Sequence, residues 1–252
     1  MAGQLVAIPD ARRSKQTGND YGFAQANLGE VALPDAVDLR RPWHPVGDQG
    51  ETASCVGWAI ADSCLRWQLV EAGRLDPGQR LSARYVWMSA KETDQREEYP
   101  STFLEQDGTS LKAGLDVVRK FGAVLEAELP WNGLASGPPE DYYRSAKSRR
   151  IMAYFNLHQD DRFDEWRRWM NENGPVLVLV AQDTNFHTCT GDLTVFDEAS
   201  VNGSHAAVLY GYGPEHFLLR STWGTDWGDV GYARLSLDYA AVAVIESYGV
   251  MI

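Results

Sequence analysis

Cysteine is scarce in this chain of 252 residues: Cys55, Cys64 and Cys189 are the only three. An odd, low count does not make a disulfide framework, and a reducing compartment is the default expectation. Basic residues are also few. Lys and Arg number 23 against 35 Asp and Glu, a formal net charge of −12 with His neutral. No Lys/Arg cluster offsets that repulsion, so nucleic acid is not an expected partner. The acidic excess reads first as solubility. No apolar run is long enough to cross a membrane. Residues 1 to 27 contain Arg12, Arg13 and Lys15 but no apolar core of a secretory signal. The expected location is cytoplasmic, or outside the cell by a route that reads no classical signal peptide. Internal repeats and low-complexity tracts are absent as well.

Material for a core is plentiful. Hydrophobic residues make up 44% of the chain, with nine Trp. That length accommodates one large domain or two lobes sharing an interface. One stretch organises the rest: Asp48-Gln49-Gly50-Glu51-Thr52-Ala53-Ser54-Cys55-Val56-Gly57-Trp58-Ala59. A polar, glycine-broken loop runs into a Cys, and an amphipathic run starts there. Backbone N–H groups at a helix N-terminus lower a thiol's pKa and point where an oxyanion would form. The Gln49 amide, six positions earlier, is a second candidate donor. By itself the stretch is equally compatible with a packed, inert Cys.

Residues 1 to about 33 read as a polar N-terminal arm. Pro34 and the Pro42–Val46 stretch favour extended backbone. Ser54 is placed to cap a helix that stops at Gly73. Ser82 is placed to cap a second helix through Lys91, with Tyr85, Val86 and Met88 inward. Residues 92 to 107 read as a polar surface loop. Gly108-Thr109-Ser110 opens a third helix with Leu111, Leu115, Val118 and Phe121 on one face, ended by Gly122. Residues 126 to 139 are irregular, and 142 to 150 suit a short helix. Phe163 to Asn173 reads as the last helix, broken by Gly174-Pro175. Strands are then expected at 176–180, 193–196, 205–212, 216–221, 231–237 and 242–250. Helices first and antiparallel strands second predict an α+β chain of two lobes with a cleft between them.

A thiol nucleophile needs a base. Among five His, His44 and His216 read as surface residues and His158 as solvated. His187 and Cys189, two apart, lack a second ligand pair for a metal. His205 stands out: it follows Asn202-Gly203-Ser204 and starts an apolar strand, where it can face a cleft while the strand anchors it. A satisfied structural His has the same pattern. Cys64 lies among apolar residues and reads as a packed thiol.

Together these blocks resemble the papain-like (C1) cysteine peptidases. Leu33-Pro34 and Val37-Asp38-Leu39-Arg40 lead into Pro45 to Gly50 and Ser54-Cys55. Leu81-Ser82-Ala83-Arg84-Tyr85 follows, then Gly174-Pro175-Val176 and Ser204-His205-Ala206-Ala207-Val208. Last comes Arg220-Ser221-Thr222-Trp223-Gly224-Thr225-Asp226-Trp227-Gly228. His205 follows Cys55 by 150 positions, the separation known for papain-type enzymes. The resemblance spans about residues 33 to 252. It implies a papain-like two-lobed fold: a mainly helical left lobe over about 34–150 and an antiparallel β-barrel-like right lobe over about 151–252. Cys55 would be the thiolate nucleophile and His205 its ion-pair partner and general acid/base. Gln49 and the Cys55 N–H would make the oxyanion hole. Trp223 would shield the bond that orients His205. Gly108, with Asp107 and Thr109, would bind an extended substrate backbone. The implied reaction is peptide-bond hydrolysis through a thioester, with no cofactor and no metal. The implied partners are a polypeptide substrate and a regulatory or inhibitor protein, not a membrane.

Two departures stand out. Around the nucleophile the family reads C-G-[SA]-C-[WY]; here Thr52 replaces the first Cys, as in bacterial-type members without that disulfide, and Val56 replaces the aromatic. Ser221 stands where the family has the Asn that holds the imidazole. Ser221 itself, Thr222 or another residue is expected to take that role; failing that, His205 is loosely held. A thioester-forming transferase or deamidase, and a weak or inactive binding module, remain open alternatives.

Overall fold

A computed structural model describes residues 11–15, 32–93, 108–158 and 162–252. The expected loop from 94 to 107, Asp107 included, and most of the arm lie outside the described residues. Strand β1 is Ala11–Arg12 and β2 is Val37–Asp38. Then comes one continuous helical run: α1, Cys55–Gly57, a π-helical segment, Trp58–Leu65, and α2, Arg66–Glu71. It stops two residues before Gly73. The run starts and ends where the sequence predicts, but its middle is π-helical. Ser54 holds the N-cap position, yet its side chain makes no cap bond; its hydroxyl pairs with Thr52 Oγ1 at 2.6 Å.

Helix α3, Ala83–Thr93, is capped by Ser82, whose Oγ accepts Tyr85 N–H at 3.0 Å. Tyr85, Val86 and Trp87 are buried; Met88, expected inward, is only half-buried. Gly57 lets α1 approach α3 closely, since a Cβ there would sit 2.4 Å from Ala83 O. Strand β3, Thr109–Ser110, runs into α4, Leu111–Lys120, with Ser110 Oγ capping Ala113 N–H. Leu111, Leu115 and Val118 are fully buried against the other helices. Helix α5, Pro139–Ala146, completes the helical part.

The second half adds β4 Ala153–Asn156, α6 Arg162–Glu172, β5 Val176–Gln182, α7 Thr184–His187, β6 Asp192–Leu193, β7 Gly203–Tyr212, β8 His216–Arg220, β9 Tyr232–Ser236, α8 Leu237–Ala243 and β10 Val244–Met251. An eight-stranded sheet runs β4-β10-β5-β7-β8-β9-β6, with β2 also paired to β7. Its pairs are antiparallel except β6 with β9. Gly211 admits β2, because a Cβ there would meet Val37 O at 2.3 Å. Helix α6 is therefore not the last: α7 and α8 follow it. Both have Asp or Ser N-caps, Asp183 and Ser236, in a region whose apolar runs read as strand. Strand β4 also goes beyond the sequence expectation.

Ala11–Lys15 runs between the two parts. Strand β1 pairs in parallel with β3 on the helical side, and Lys112 N–H donates to Ser14 Oγ at 3.3 Å. On the sheet side, Ser204 Oγ donates to Ala11 O at 2.7 Å, and Ser14 N–H donates to the buried Glu246 carboxylate. Burial raises the Glu246 pKa, opposed by its bonds from Ser14 and Tyr248.

Candidate active site

The loop before α1 is held by its own polar atoms. Thr52 Oγ1 donates to Gln49 O at 2.7 Å, so the Ser54 hydroxyl is the donor in their pair. Thr52, at the position where the resemblance implies a half-cystine, thus braces the loop with hydrogen bonds. The Gln49 amide is pinned at both ends. Its Nε2 donates to Thr52 O at 2.6 Å, and its Oε1 accepts the Thr222 hydroxyl at 2.6 Å. The backbone repeats the link, Gln49 N–H donating to Thr222 O at 2.9 Å.

Cys55 is the first residue of α1, and α1 packs against β7, which carries His205. Both residues are fully buried. On β7, His205 lies opposite Val180 of β5. Its Nε2 lies 3.3 Å from Thr222 Oγ1. Ser221 is buried too, but its Oγ accepts Trp223 N–H at 3.3 Å. Of the two neighbouring hydroxyls expected as candidates to hold the imidazole, that of Thr222 is the one beside the ring. The half-buried Trp223 ring covers the imidazole, centroids 4.6 Å apart. It is backed by Phe186, His187 stacked at 5.5 Å, and Trp227. Phe186 and His187 are additions to the sequence-derived site; Asp183 as an N-cap was the signal for the turn that carries them. His187 bonds Asn202 Oδ1 at 3.0 Å. Gly108 is buried just before β3, whose Thr109 pairs with Ala11 of the arm.

Behind the helix that starts at Cys55 lies an ionic cluster. Asp62, in the π-helical segment, accepts from Arg66 at 3.2 Å, Arg80 at 3.0 Å and Arg220 at 3.3 Å. Arg220 also reaches Ser63 Oγ, the His44 and Pro45 carbonyls and Tyr232 OH. Burial works against the Asp62 charge, but Arg80, Arg220, His44 and Arg66 together hold its pKa below the usual value. Arg220 thereby joins the helix of Cys55 to the chain that turns into Ser221 and Thr222.

His44, expected at the surface, is buried here. Its Nε2–H donates to Asp62 O at 2.8 Å, and it stacks on Trp43. A run of Pro and Trp gave no sign that the loop folds under the helix. Burial, then the Arg220 charge, push its pKa down to about 3. His158, expected to be solvated, is half-buried, and burial with nearby Arg162 and Arg13 brings its pKa to about 4. For a His with a depressed folded pKa, the unfolded chain binds the extra proton, so stability falls as pH drops from 6.5 towards that value. His44→Gln is expected to flatten the dependence of unfolding free energy on pH between 6.5 and 4. The removed slope should approach about 1.4 kcal/mol per pH unit. Urea titrations across that range check it; an unchanged slope would show that His44 is not the titrating group.

Cys64 packs in the core with its thiol pushed up to about 12 by burial alone. Burial also raises the Cys189 thiol.

The family model for papain family cysteine protease matches residues 33–251. The chain belongs to that family. It is 28% identical to mouse (Mus musculus) cathepsin J over 242 residues, covering 88% of this chain and 67% of the relative. Papain of Carica papaya is 26% identical over 214 residues, covering 83% of this chain and 56% of its own length. Among solved structures, xylellain, a cysteine protease from Xylella fastidiosa, superposes with a TM-score of 0.82 over 97% of this chain and 96% of its own, at 19% identity. That superposition shows the two-lobed α+β fold.

Proposed function

We propose that this family member hydrolyses peptide bonds with Cys55 as nucleophile and His205 as general acid/base. The supporting observation is that Thr222 joins the Gln49 amide to the His205 ring in the buried corner where the helix of Cys55 begins. The Cys55 thiolate attacks the carbonyl carbon. The Cys55 N–H and the second Nε2 hydrogen of Gln49 are the donors to the oxyanion. The imidazolium of His205 gives its proton to the departing amine, leaving a thioester. His205 then takes a proton from water, whose oxygen attacks the thioester and releases the acid. Trp223 and its aromatic neighbours keep bulk water from the His205–Thr222 contact, where low polarity strengthens it.

Labelling with a thiol-directed peptidyl electrophile tests this reading. Cys55 is expected to react at least about tenfold faster than Cys64 or Cys189, with the rate staying high well below pH 8. Hydrolysis of a peptide substrate should disappear in step with Cys55 labelling. Slow, equal labelling of all three thiols, or hydrolysis that survives a blocked Cys55, would overturn it.

A further inference from the structure

We infer that Thr222 positions His205, taking the place of the expected residue at 221, and that it does so by a relay of proton donors starting at a backbone carbonyl. This rests on the proposed pairing of Cys55 with His205. The relay follows from which atoms can donate. Thr52 O only accepts, so the Gln49 atom 2.6 Å from it is the NH2 group. The other end of the amide, Oε1, therefore faces Thr222, and it too only accepts. At 2.6 Å it takes the single hydroxyl proton of Thr222. Thr222 Oγ1 is left with lone pairs towards His205, so Nε2, 3.3 Å away, must be the donor. The neutral imidazole is fixed as the Nε2–H tautomer, and Nδ1 is the basic nitrogen. Once Nδ1 takes a proton from the thiol, the Nε2–H···Oγ1 bond becomes charge-assisted and stronger. Thr222 therefore favours the imidazolium over the neutral ring. It does so in a dry setting: Thr222 and His205 are 1% and 0% exposed, under the Trp223 ring.

Ser221 cannot start the same relay through Gln49, because its Oγ is turned to the Trp223 N–H. One hydroxyl thus sets the amide of the oxyanion donor and the tautomer of the base together. Loss of Thr222 disturbs both, so a drop in turnover alone does not identify its role.

Three variants and two readouts that follow the imidazole test this. Thr222→Val keeps the volume and removes the relay; Thr222→Ser keeps the relay; Ser221→Ala removes the other hydroxyl. Thr222→Val is expected to lower kcat/KM about ten- to a hundredfold, and Thr222→Ser to restore most of it. The pH of half-maximal Cys55 alkylation should rise by about one unit in Thr222→Val and return in Thr222→Ser. In a Cys55→Ala background, recorded at a pH high enough to leave the ring neutral, 15N shifts should show the Nε2–H tautomer, lost when Thr222→Val is added. A dominant Nδ1–H tautomer with Thr222 intact overturns the inference. So does a shift of the alkylation profile by Ser221→Ala as large as that of Thr222→Val. If Cys55 of the wild-type chain labels no faster than Cys64, the proposed nucleophile itself fails, which is a separate result.

Discussion

Cys55→Ala and His205→Ala are each expected to lower kcat for peptide hydrolysis by about three to six decades, and the double variant to be no slower than the worse single. In the proposed mechanism the two residues act as a unit. Without the thiol, His205 has no nucleophile to deprotonate. Without the imidazole, the thiol at pH 7 is mostly protonated and the leaving amine has no acid. Removing either removes the covalent route, and what remains is binding plus oxyanion stabilisation. Independent effects would instead multiply, and a double variant slower than both singles by the product of their losses would contradict the pairing. Cys55→Ala deletes one buried sulfur, so its fold should survive with a modest stability loss. Matching urea midpoints, measured beside the kinetics, would attribute the lost turnover to chemistry.

Asp62→Asn is expected to cost about 3–5 kcal/mol of stability, far more than its near-identical shape suggests. Asp62 is the anion shared by Arg66, Arg80 and Arg220. Arg220 and Arg66 are buried. An amide keeps some hydrogen bonds but leaves the guanidinium charges without a counter-charge in a poorly solvated place, which is the expensive half of breaking a buried ion pair. Because Asp62 holds its proton less tightly when folded, its contribution is complete above the unfolded carboxylate range and fades as pH falls through its lowered value. The Asn variant should therefore lose most near neutrality and converge towards the wild type in strong acid. Denaturant titrations at pH 7 and pH 3 would show it; an equal deficit at both would assign the loss to packing.

The residues proposed to carry the chemistry were singled out by the order of blocks that resemble the family, because the local setting of Cys55 fits a packed thiol as well and that of His205 a structural His. A polar loop entering a helix at Cys55, a strand starting at His205 and a Trp-Gly-rich turn at Trp223 each leave a mark within a dozen residues. The start of the helix at Cys55 and its stop before Gly73 followed from the same local signals. Its π-helical middle did not, nor did the burial of His44. Asp62 lies in that segment, and the loop of His44 is held by Arg220, which meets Asp62 from 158 positions away; no periodicity encodes that. The role expected of Ser221 illustrates the limit more finely. Position along the chain pointed to the hydroxyl at 221, whereas the backbone turned that hydroxyl to Trp223 N–H and brought the next one to the ring. Helix α7 was hidden because its four residues are too few to show a helical period, and α8 because it is as apolar as the strands beside it.

The arm at Ala11–Lys15 alters how any affinity for this protein should be understood. Thr109–Ser110, next to Gly108, already hold β1, and Ser204, next to His205, already bonds Ala11 O. A polypeptide that took the place expected for substrate beside Gly108 would bind by exchange with a strand of the same molecule. Its apparent dissociation constant is the intrinsic one divided by the fraction of molecules whose arm is undocked. A tethered strand competes at an effective concentration fixed by its own linker, so adding more enzyme does not dilute it.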